Sequence, residues 1–217
     1  MATRVLLTKN YDAELIREHF GETFAVDCQS FINIESINAN HEATAETAII
    51  TSRNAINALS NQAHYDKLWV VGENTAAALQ EHISTEMLVA DNAKELLEII
   101  LQNSEPGAID FWCGTSRLDF LPRSLAAAGY SVHEKHCYHT QLLGLKLEEM
   151  YDVYAFFSPT GVEGFFRENT LAPDAKVIAI GNTTAQALKL CTQNPIFTAQ
   201  KPNLASIAEC IKYNAYA

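Results

Sequence analysis

Two stretches of the sequence repeat the same two motifs in the same order, and this duplication constrains the fold more than any other feature. In the first copy an apolar run ends at Ser52, and Gly72 opens a helical segment 20 residues later. In the second copy Ser158 and Gly181 stand in the same roles, 23 residues apart. A threonine follows each glycine by three positions: Thr75 and Thr184. Two half-chains therefore share one structural plan.

Short β-rich runs alternate with amphipathic stretches along the whole chain. The predicted strands are residues 5–7, 23–28, 48–50, 68–71, 87–89, 109–112, 131–137, 153–157, 177–180 and 196–199. Apolar residues between most of them recur at helical spacing, as at Leu96, Ile99 and Ile100. Alternating strands and helices predict an α/β fold with parallel sheets that are covered by helices on both faces.

The composition is that of a globular protein. Hydrophobic residues make up 48% of the 217 residues and charged residues 19%, which excludes a disordered chain and permits one large or two small domains. The most turn-like stretch, residues 103–107, is the naive place for a domain boundary. No apolar run has the length of a signal peptide core or a membrane span, so we expect a soluble, cytoplasmic protein without a membrane partner.

Cysteine usage and charge narrow the possible partners. The five cysteines are odd in number, scattered and without a C-x-x-C pair, which predicts reduced, mostly buried thiols rather than disulfides or a zinc site. The formal net charge of -11 argues against nucleic acid as a partner. An anionic small molecule remains possible, because a local cluster of donors decides such binding and salt screens distant charge beyond roughly 8 to 10 Å.

The repeated turns have the chemistry of an anion site. In open parallel sheets, ligands bind beyond the carboxyl ends of the strands, where the turns at Ser52, Gly72, Ser158 and Gly181 are predicted. Turns into helices present backbone N–H groups and the positive end of a helix dipole, which suit a carboxylate or phosphate. Helix capping alone is the alternative explanation for each single turn. A Walker loop and a G-x-G-x-x-G motif are both absent, so nucleotide cofactors lose support.

Other polar residues are weaker candidates. Arg53 and Arg117 each lie a few residues after a strand and are candidates for neutralising an anion, although a solvated helix face explains each equally well. One predicted strand carries four residues of the types that bind zinc: His133, His136, Cys137 and His139. Positions 133, 136 and 139 alternate between the faces of an extended strand, so the three histidines would not converge and we predict no metal site. The residues alone lead only as far as an anion-binding cleft shared by the two halves.

Six motifs of this sequence resemble those of the uroporphyrinogen-III synthase family, and together they run through most of the chain. They are Ile50-Thr51-Ser52-x-x-Ala55, Val71-Gly72-x-x-Thr75-Ala76, Cys113-Gly114 with Leu121-Pro122 downstream, Tyr138-x-Thr140, Phe156-Phe157-Ser158-Pro159-Thr160-Gly161 and Ala179-Ile180-Gly181-x-Thr183-Thr184-Ala185. The last two are the most specific. The resemblance implies two intertwined, doubly wound, flavodoxin-like lobes, one of residues 1–33 and 141–217 and the other of residues 34–140. Residues 29–34 and 138–142 would form a two-stranded linker between them.

The resemblance also implies a function. It implies the cofactor-free and metal-free cyclisation of hydroxymethylbilane to uroporphyrinogen III, with ring D inverted through a spiro intermediate. Tyr138 would donate a proton to the departing hydroxyl. The substrate carboxylates would bind at Thr51, Ser52, Arg53, Gly72, Asn74, Thr75, Gly114, Ser158, Thr160, Gly161, Gly181, Thr183 and Thr184.

The implied partners follow from this reaction. The first is the substrate, hydroxymethylbilane. The second is hydroxymethylbilane synthase, which would bind transiently and hand the substrate over. The protein itself is expected to be a monomer. A two-lobed protein that binds a small polyanion without catalysis is the alternative.

Overall fold

A computed structural model describes residues 2–37, 42–59 and 64–214 of the chain. The strands in these residues are β1 (Thr3–Leu7), β2 (Phe24–Cys28), β3 (Ile32–Ser36), β4 (Thr47–Ile50), β5 (Lys67–Val71), β6 (Met87–Ala90), β7 (Ala108–Gly114), β8 (Ser131–Leu142), β9 (Val153–Phe156), β10 (Lys176–Ala179) and β11 (Ile196–Thr198). The α-helices are α1 (Ala13–Phe20), α2 (Ile56–Leu59), α3 (Glu73–Gln80), α4 (Ala93–Asn103), α5 (Phe120–Ala127), α6 (Pro159–Phe166), α7 (Asn182–Lys189) and α8 (Leu204–Asn214). A short 3-10 turn, Arg53–Ala55, directly precedes α2.

The chain divides into two compact units. Unit 1 consists of residues 1–33 and 141–217, and unit 2 consists of residues 34–140. Both divisions fall inside strands, because β3 and β8 each continue past the limit of a unit. Residues 104–107 form only the loop from α4 to β7 and lie within unit 2.

Unit 1 is built around a parallel sheet that joins the two ends of the chain. Its described strands lie in the order β2-β1-β9-β10-β11, and every neighbouring pair is parallel. Within this sheet Val5 of β1 pairs with Val153 of β9, and Thr3 pairs with Phe24 of β2. The first strand of the chain therefore lies inside the sheet, next to strands made by its last third.

Unit 2 repeats this arrangement with a different connectivity. Its sheet has the order β3-β8-β7-β4-β5-β6, and the four pairs from β8 to β6 are parallel. The two strand orders are identical, apart from the additional edge strand β3, when β4, β5 and β6 are matched with β9, β10 and β11 and when β7 and β8 are matched with β1 and β2. The structure confirms the predicted parallel α/β fold, and the duplication read from the sequence is present in the strand orders.

Both faces of each sheet are buried. All four residues of β9 are buried, and they alternate between two apolar clusters, with Val153 and Ala155 in one and Tyr154 and Phe156 in the other. The three buried residues of β4 alternate in the same way in unit 2, with Ala48 and Ile50 in one cluster and Ile49 in the other. Full burial of one large apolar side chain contributes about 1.5 to 3 kcal/mol. A continuous apolar run is thus the signature of strands that are packed on both sides.

A buried carboxylate fixes the segment that leads into β4. Asp110 of β7 accepts hydrogen bonds from the N–H of Thr44 at 2.7 Å and its hydroxyl at 2.5 Å, and from the hydroxyl of Tyr65 at 2.8 Å. The ammonium of Lys135 lies 3.5 Å away. Burial alone raises the pKa of Asp110, but the hydrogen bonds from Thr44 and Tyr65 and the charge of Lys135 outweigh it, so the pKa lies below its ordinary value.

Two features of the strands go beyond the strands predicted from the residue pattern. Residues 32–34, which the resemblance assigns to one strand of a two-stranded linker, belong to β3, and β3 pairs with β8 at the edge of the unit 2 sheet. Only Ile32 of this strand is even partly buried, so it lacks the apolar pattern that predicts a strand. In addition, β8 continues to Leu142, five residues beyond the predicted end.

The cysteines of the chain are reduced. No disulfide joins the five cysteines, of which Cys113 and Cys137 are buried and Cys191 is exposed. Burial raises the pKa of Cys113 to about 12 and that of Cys137 to about 11. Within the described ranges, no helix has both the length and the apolar character that are needed to cross a bilayer.

Candidate active site

The polar turns of each unit lie at the carboxyl ends of its parallel strands. In unit 2, Ser52 follows β4, Gly72 follows β5 and Gly114 ends β7; in unit 1, Ser158 and Gly181 follow β9 and β10. Ligands of doubly wound sheets bind where the strand order reverses, which is between β4 and β7 in unit 2 and between β9 and β1 in unit 1. Each unit therefore has one candidate ligand-binding edge.

Two predicted site residues of unit 2, Tyr138 and Gly114, come together at this edge. The ring of Tyr138 packs directly on the buried Gly114, where an added β-carbon would lie 2.5 Å from Cε2. Burial raises the pKa of Tyr138, and the hydroxyl of Ser52 and the backbone of Gly114 partly offset this rise. The phenol therefore remains protonated at neutral pH and is able to donate a proton.

The serines of the two repeated turns also cap helices. Ser52 has extended backbone, and its Oγ accepts the N–H of Asn54 at 3.3 Å at the start of the 3-10 turn. Ser158 caps α6 in the same way, since its Oγ accepts the N–H of Gly161 at 2.9 Å. The capping interpretation is therefore correct for both serines. Each hydroxyl still has a proton to donate to another acceptor.

The remaining polar groups of these turns lie beside the serines. Thr51 and Thr160 are half-buried, and Gly161 is buried in the first turn of α6. Pro159 occupies the first position of α6, where its missing N–H costs nothing. The carbonyl of Ser158 accepts the N–H of Val162 at 3.1 Å, so the turn passes directly into regular helix.

The two glycine turns are alike in position and different in backbone. Gly72 has a φ of 87°, in the region that favours glycine, and its N–H donates to the carbonyl of Ala90 at 2.8 Å. Gly181 is extended, with a φ of -176°, and any residue can adopt this conformation. No described atom lies within 4 Å of a β-carbon added at either position. Neither backbone strain nor crowding therefore explains why position 181 is a glycine.

Helices α3 and α7 begin at these glycines, whose N-cap positions provide no side-chain cap. Thr75 and Thr184 are buried beneath the first turns, while Asn74 and Thr183 are exposed. An uncapped helix start carries unsatisfied N–H groups and a partial positive charge. Each unit thus has one helix start whose amides suit an anion, in addition to the serine-capped turn.

The two arginines have different surroundings. The guanidinium of Arg117 forms a close ion pair with Glu134 and also contacts Asp119. These hydrogen bonds raise the pKa of Arg117 above its ordinary value, and its charge is neutralised within unit 2. Arg53 is exposed at the Ser52 turn, and none of the ion pairs in the described part of the chain involves it. Arg53 is therefore the better placed of the two to meet an anion.

The three histidines of β8 contact three different groups. His133 bonds to Thr44 at 2.9 Å, His136 to Glu134 at 3.0 Å and His139 to Thr115 at 2.8 Å. The ligand atoms of Cys113, Glu134 and His136 lie within 4.8 Å of one another. Arg117 already occupies both oxygens of the Glu134 carboxylate, and burial disfavours the Cys113 thiolate that a metal needs.

The sequence interpretation missed one cation at the edge of unit 1. Lys9 follows β1, the counterpart of β7, and its ammonium lies 5.3 Å from the ring centre of Tyr11. Tyr11 packs on Phe157, next to Ser158, with ring centres 5.4 Å apart. A lysine two residues after an apolar strand was the available signal, and its importance is visible only once β1 and β9 are known to be neighbours.

The structure is similar to solved structures of one kind of enzyme. One is the uroporphyrinogen-III synthetase of Helicobacter pylori, with a TM-score of 0.69, 19% identity, and coverage of 98% of this chain and 99% of that one. Another is a mutant uroporphyrinogen III synthase of Thermus thermophilus, with a TM-score of 0.71, 19% identity, and coverage of 99% of both chains. At this identity the likeness shows the fold. No curated protein matches the chain in sequence.

The fold and its edges define a two-unit α/β protein with polar turns at the carboxyl ends of duplicated parallel sheets. A family model described as uroporphyrinogen-III synthase matches residues 12–209. This chain belongs to the uroporphyrinogen-III synthase family, whose members are lyases of tetrapyrrole biosynthesis.

Proposed function

We propose that this protein cyclises hydroxymethylbilane to uroporphyrinogen III without a cofactor and inverts ring D through a spiro intermediate. The substrate loses its terminal hydroxyl to give an azafulvene cation, and the last pyrrole attacks this cation through its substituted carbon. The resulting spiro intermediate fragments and recloses with ring D inverted. The observation that carries this proposal is the neutral phenol of Tyr138, which packs on Gly114 at the carboxyl end of β7 in a chain of this family.

Backbone amides and a few cations would bind the acetate and propionate groups. In unit 2 the donors are Thr51, Ser52, Arg53 and the start of α3 from Gly72 to Thr75; in unit 1 they are Ser158, Thr160, Gly161 and the start of α7 from Gly181 to Thr184. We add Lys9 to the second set. The net charge of -11 repels a polyanionic substrate at long range. Salt screens this repulsion, and the amide dipoles attract the substrate carboxylates at short range.

Tyr138 would donate its proton to the departing hydroxyl. The O–H bond of the phenol and the C–O bond of the substrate break together, water leaves, and the pyrrole nitrogen supplies the electron pair of the azafulvene. The pyrrole already activates this leaving group, so the contribution of Tyr138 is modest compared with the 10²- to 10⁴-fold that is typical of general acids.

Control of the site of attack is the main task of such an enzyme. The substituted carbon of the last pyrrole must meet the cation in preference to its unsubstituted neighbour, and this depends on how the flexible chain of four rings is held. A tenfold preference requires about 1.4 kcal/mol of differential transition-state stabilisation. One well-placed carboxylate contact is enough to supply this amount.

A coupled assay with freshly generated hydroxymethylbilane tests the function. The type III isomer, formed faster than the spontaneous reaction, is the expected product. Type I product alone, at the uncatalysed rate, would leave a protein that binds a polyanion without catalysis. Adding hydroxymethylbilane synthase to the same assay tests whether that enzyme hands the substrate over transiently.

Two further parts of the proposal are a monomeric state and a cytoplasmic location. Size-exclusion chromatography tests the monomeric state, and fractionation of cells tests the location.

A further inference from the structure

The loop that follows β1 is fixed on both sides by the neighbouring strands. Thr8 is buried, and its N–H and its hydroxyl both donate to the carbonyl of Ala155 in β9, at 2.9 Å each. On the other side, the N–H of Gln29, just beyond β2, donates to the carbonyl of Leu7 at 3.0 Å. The backbone that leads into Lys9 is therefore held in place where the strand order of unit 1 reverses.

Lys9 and two aromatic residues form a cluster at this edge of unit 1. The ammonium of Lys9 lies 5.3 Å from the centre of the Tyr11 ring, within the range of a cation–π contact. The Tyr11 ring packs in turn on Phe157, with ring centres 5.4 Å apart, and Phe157 directly precedes the Ser158 turn. Both rings are partly buried against the apolar cluster that includes α1 and α8. The core thus fixes the Tyr11 ring, and the ring restricts the position of the Lys9 ammonium.

An aromatic ring differs from a carboxylate as the partner of a cation. The ring attracts an ammonium through its quadrupole and carries no net charge. A carboxylate cancels the charge of the cation, as Glu134 does for Arg117 in unit 2. A lysine side chain also loses rotamer entropy when it binds an anion, and a ring that already restricts the side chain reduces this loss. The Tyr11 ring therefore prepares Lys9 to bind an anion.

We propose that Lys9 binds one carboxylate of the substrate at the edge of unit 1, and that Tyr11 is the positioning residue that holds Lys9 there. This inference rests on the proposed function and deepens it, because it gives a role to Tyr11, which the resemblance to the family does not single out. Lys9 contributes to the affinity for the substrate and takes no part in the bond changes. Its loss should therefore appear in KM and leave kcat nearly unchanged.

Removing the charge of Lys9 tests the first half of the proposal. Lys9→Met keeps the length of the side chain and is expected to raise KM about three- to tenfold, the scale of the net contribution of one hydrogen bond. Its kcat should stay within about twofold of the wild type. Lys189→Met is the control, because it removes the same charge from an exposed position at the end of α7 opposite Gly181. This control should change neither constant.

Replacing the ring of Tyr11 tests the second half. Tyr11→Leu is expected to raise KM about two- to fivefold, the scale of one cation–π contact. Tyr11→Phe keeps the ring and should keep the KM of the wild type. In a Lys9→Met background, Tyr11→Leu should have no further effect on KM, because the group that the ring holds is gone. Tyr213→Leu, at an exposed position of the same unit, is the control and should leave KM unchanged.

Salt gives a second readout, which a purely structural role would not change. The ratio of KM for Lys9→Met to KM for the wild type should shrink as NaCl is raised from about 0.05 M to about 0.5 M, because salt screens an ion pair that only the wild type makes. Urea unfolding of Tyr11→Leu shows whether a change in kcat reflects lost stability.

Two results would overturn the inference. Equal KM values for Lys9→Met and Lys189→Met would remove Lys9 from substrate binding. An equal rise of KM caused by Tyr11→Leu in both backgrounds would remove the positioning role of Tyr11. In either case, type III product from the wild type would leave the proposed function intact. If the wild type forms no type III product, both proposals fail.

Discussion

Gly164 of α6 lies against the carbonyl group of Phe31, so that an added β-carbon would approach the carbonyl oxygen to 2.5 Å. Phe31 is fully buried, and its ring packs on Phe165 with ring centres 5.1 Å apart. The helix after the Ser158 turn is therefore docked on the segment between β2 and β3. The contact is between two backbone segments, so no change of side-chain rotamer can relieve a clash there.

Gly164→Ala is expected to destabilise unit 1 by about 1 to 3 kcal/mol, the usual cost of overpacking a filled interior. Urea unfolding gives the free energy of unfolding. Glu163→Ala, at the exposed neighbouring position of the same helix, serves as the control and should change it by less than about 0.5 kcal/mol. Equal stabilities of the two variants would contradict the close contact.

The two turn glycines should respond differently to alanine. Gly72→Ala is expected to lower the free energy of unfolding by about 1 to 2 kcal/mol, because its φ of 87° strains any residue with a β-carbon. Gly181→Ala should leave stability within about 0.5 kcal/mol of the wild type, because its backbone is extended and the space is open. If the Gly181 edge binds substrate, this stable variant has a raised KM. A KM equal to that of the wild type would remove Gly181 from the site.

Asp110 should make stability depend on pH. Its pKa is lowered in the folded state, so the stability that its carboxylate contributes is complete above the ordinary value of about 3.9 and is lost as the pH falls through the folded-state pKa. Asp110→Asn leaves Lys135 buried without its counter-charge and should cost about 3 to 5 kcal/mol at pH 7. The difference from the wild type should shrink below about pH 4.

Denaturant unfolding from pH 7 to pH 3 measures this difference. Asp66→Asn, at an exposed position of the same unit, is the control and should run parallel to the wild type. A gap for Asp110→Asn that stays constant over the whole range would show that the carboxylate is not the source of the stabilisation.

Substitutions of Arg53 and Arg117 should have different effects, one on KM and the other on the free energy of unfolding. Arg53→Ala is expected to raise KM about two- to fivefold, the scale of one exposed ion pair with a substrate carboxylate. Arg117→Ala should leave KM unchanged and lower the free energy of unfolding by about 1 kcal/mol, since its partners Glu134 and Asp119 belong to the protein. Arg123→Ala, a largely exposed arginine nearby, should change neither quantity. The reverse pattern for Arg53 and Arg117 would refute the assignment.

Tyr138→Phe should reduce turnover without abolishing it. We expect kcat to fall about tenfold, or about 1.4 kcal/mol in barrier height, with type III still the main isomer. Tyr130→Phe removes a hydroxyl that bonds to Ser104 at the opposite end of β8, and it should leave kcat unchanged. Loss of activity in Tyr138→Phe to the level of an unfolded variant would mean that the phenol does more than donate one proton.

Strand positions in this protein could be predicted because burial on both faces leaves a visible pattern. Runs such as Val153 to Phe156 are apolar throughout, and this pattern is seldom produced by exposed segments. The residue pattern did not predict strand β3, which only the resemblance implied as a linker strand, because β3 is an exposed edge whose position depends on pairing with β8. Edge strands are stabilised by backbone hydrogen bonds more than by side-chain burial, and a sequence does not record these.

The turns were predictable for a similar reason, since Ser52 and Ser158 follow apolar strands and cap the 3-10 turn and α6. Contacts between side chains that are far apart in the sequence could not be predicted. The pairing of Arg117 with Glu134 joins residues 17 positions apart, and only the register of β7 and β8 brings them together. Likewise, no pattern in the residues around Gly114 predicts that Tyr138 packs on this glycine. Geometry of this kind comes from tertiary pairing, which no local pattern encodes.

The strand order of unit 1 has a consequence for how the protein is made. During synthesis on the ribosome, residues 34–140 emerge as one uninterrupted block, and strands β4 to β8 can complete their sheet as soon as they leave the exit tunnel. Strands β1 and β2 emerge earlier but must wait for β9, which is translated after all of unit 2. The apolar side chains of Val5 and Leu7 therefore remain uncovered for most of translation, and nascent-chain chaperones would find their first target there.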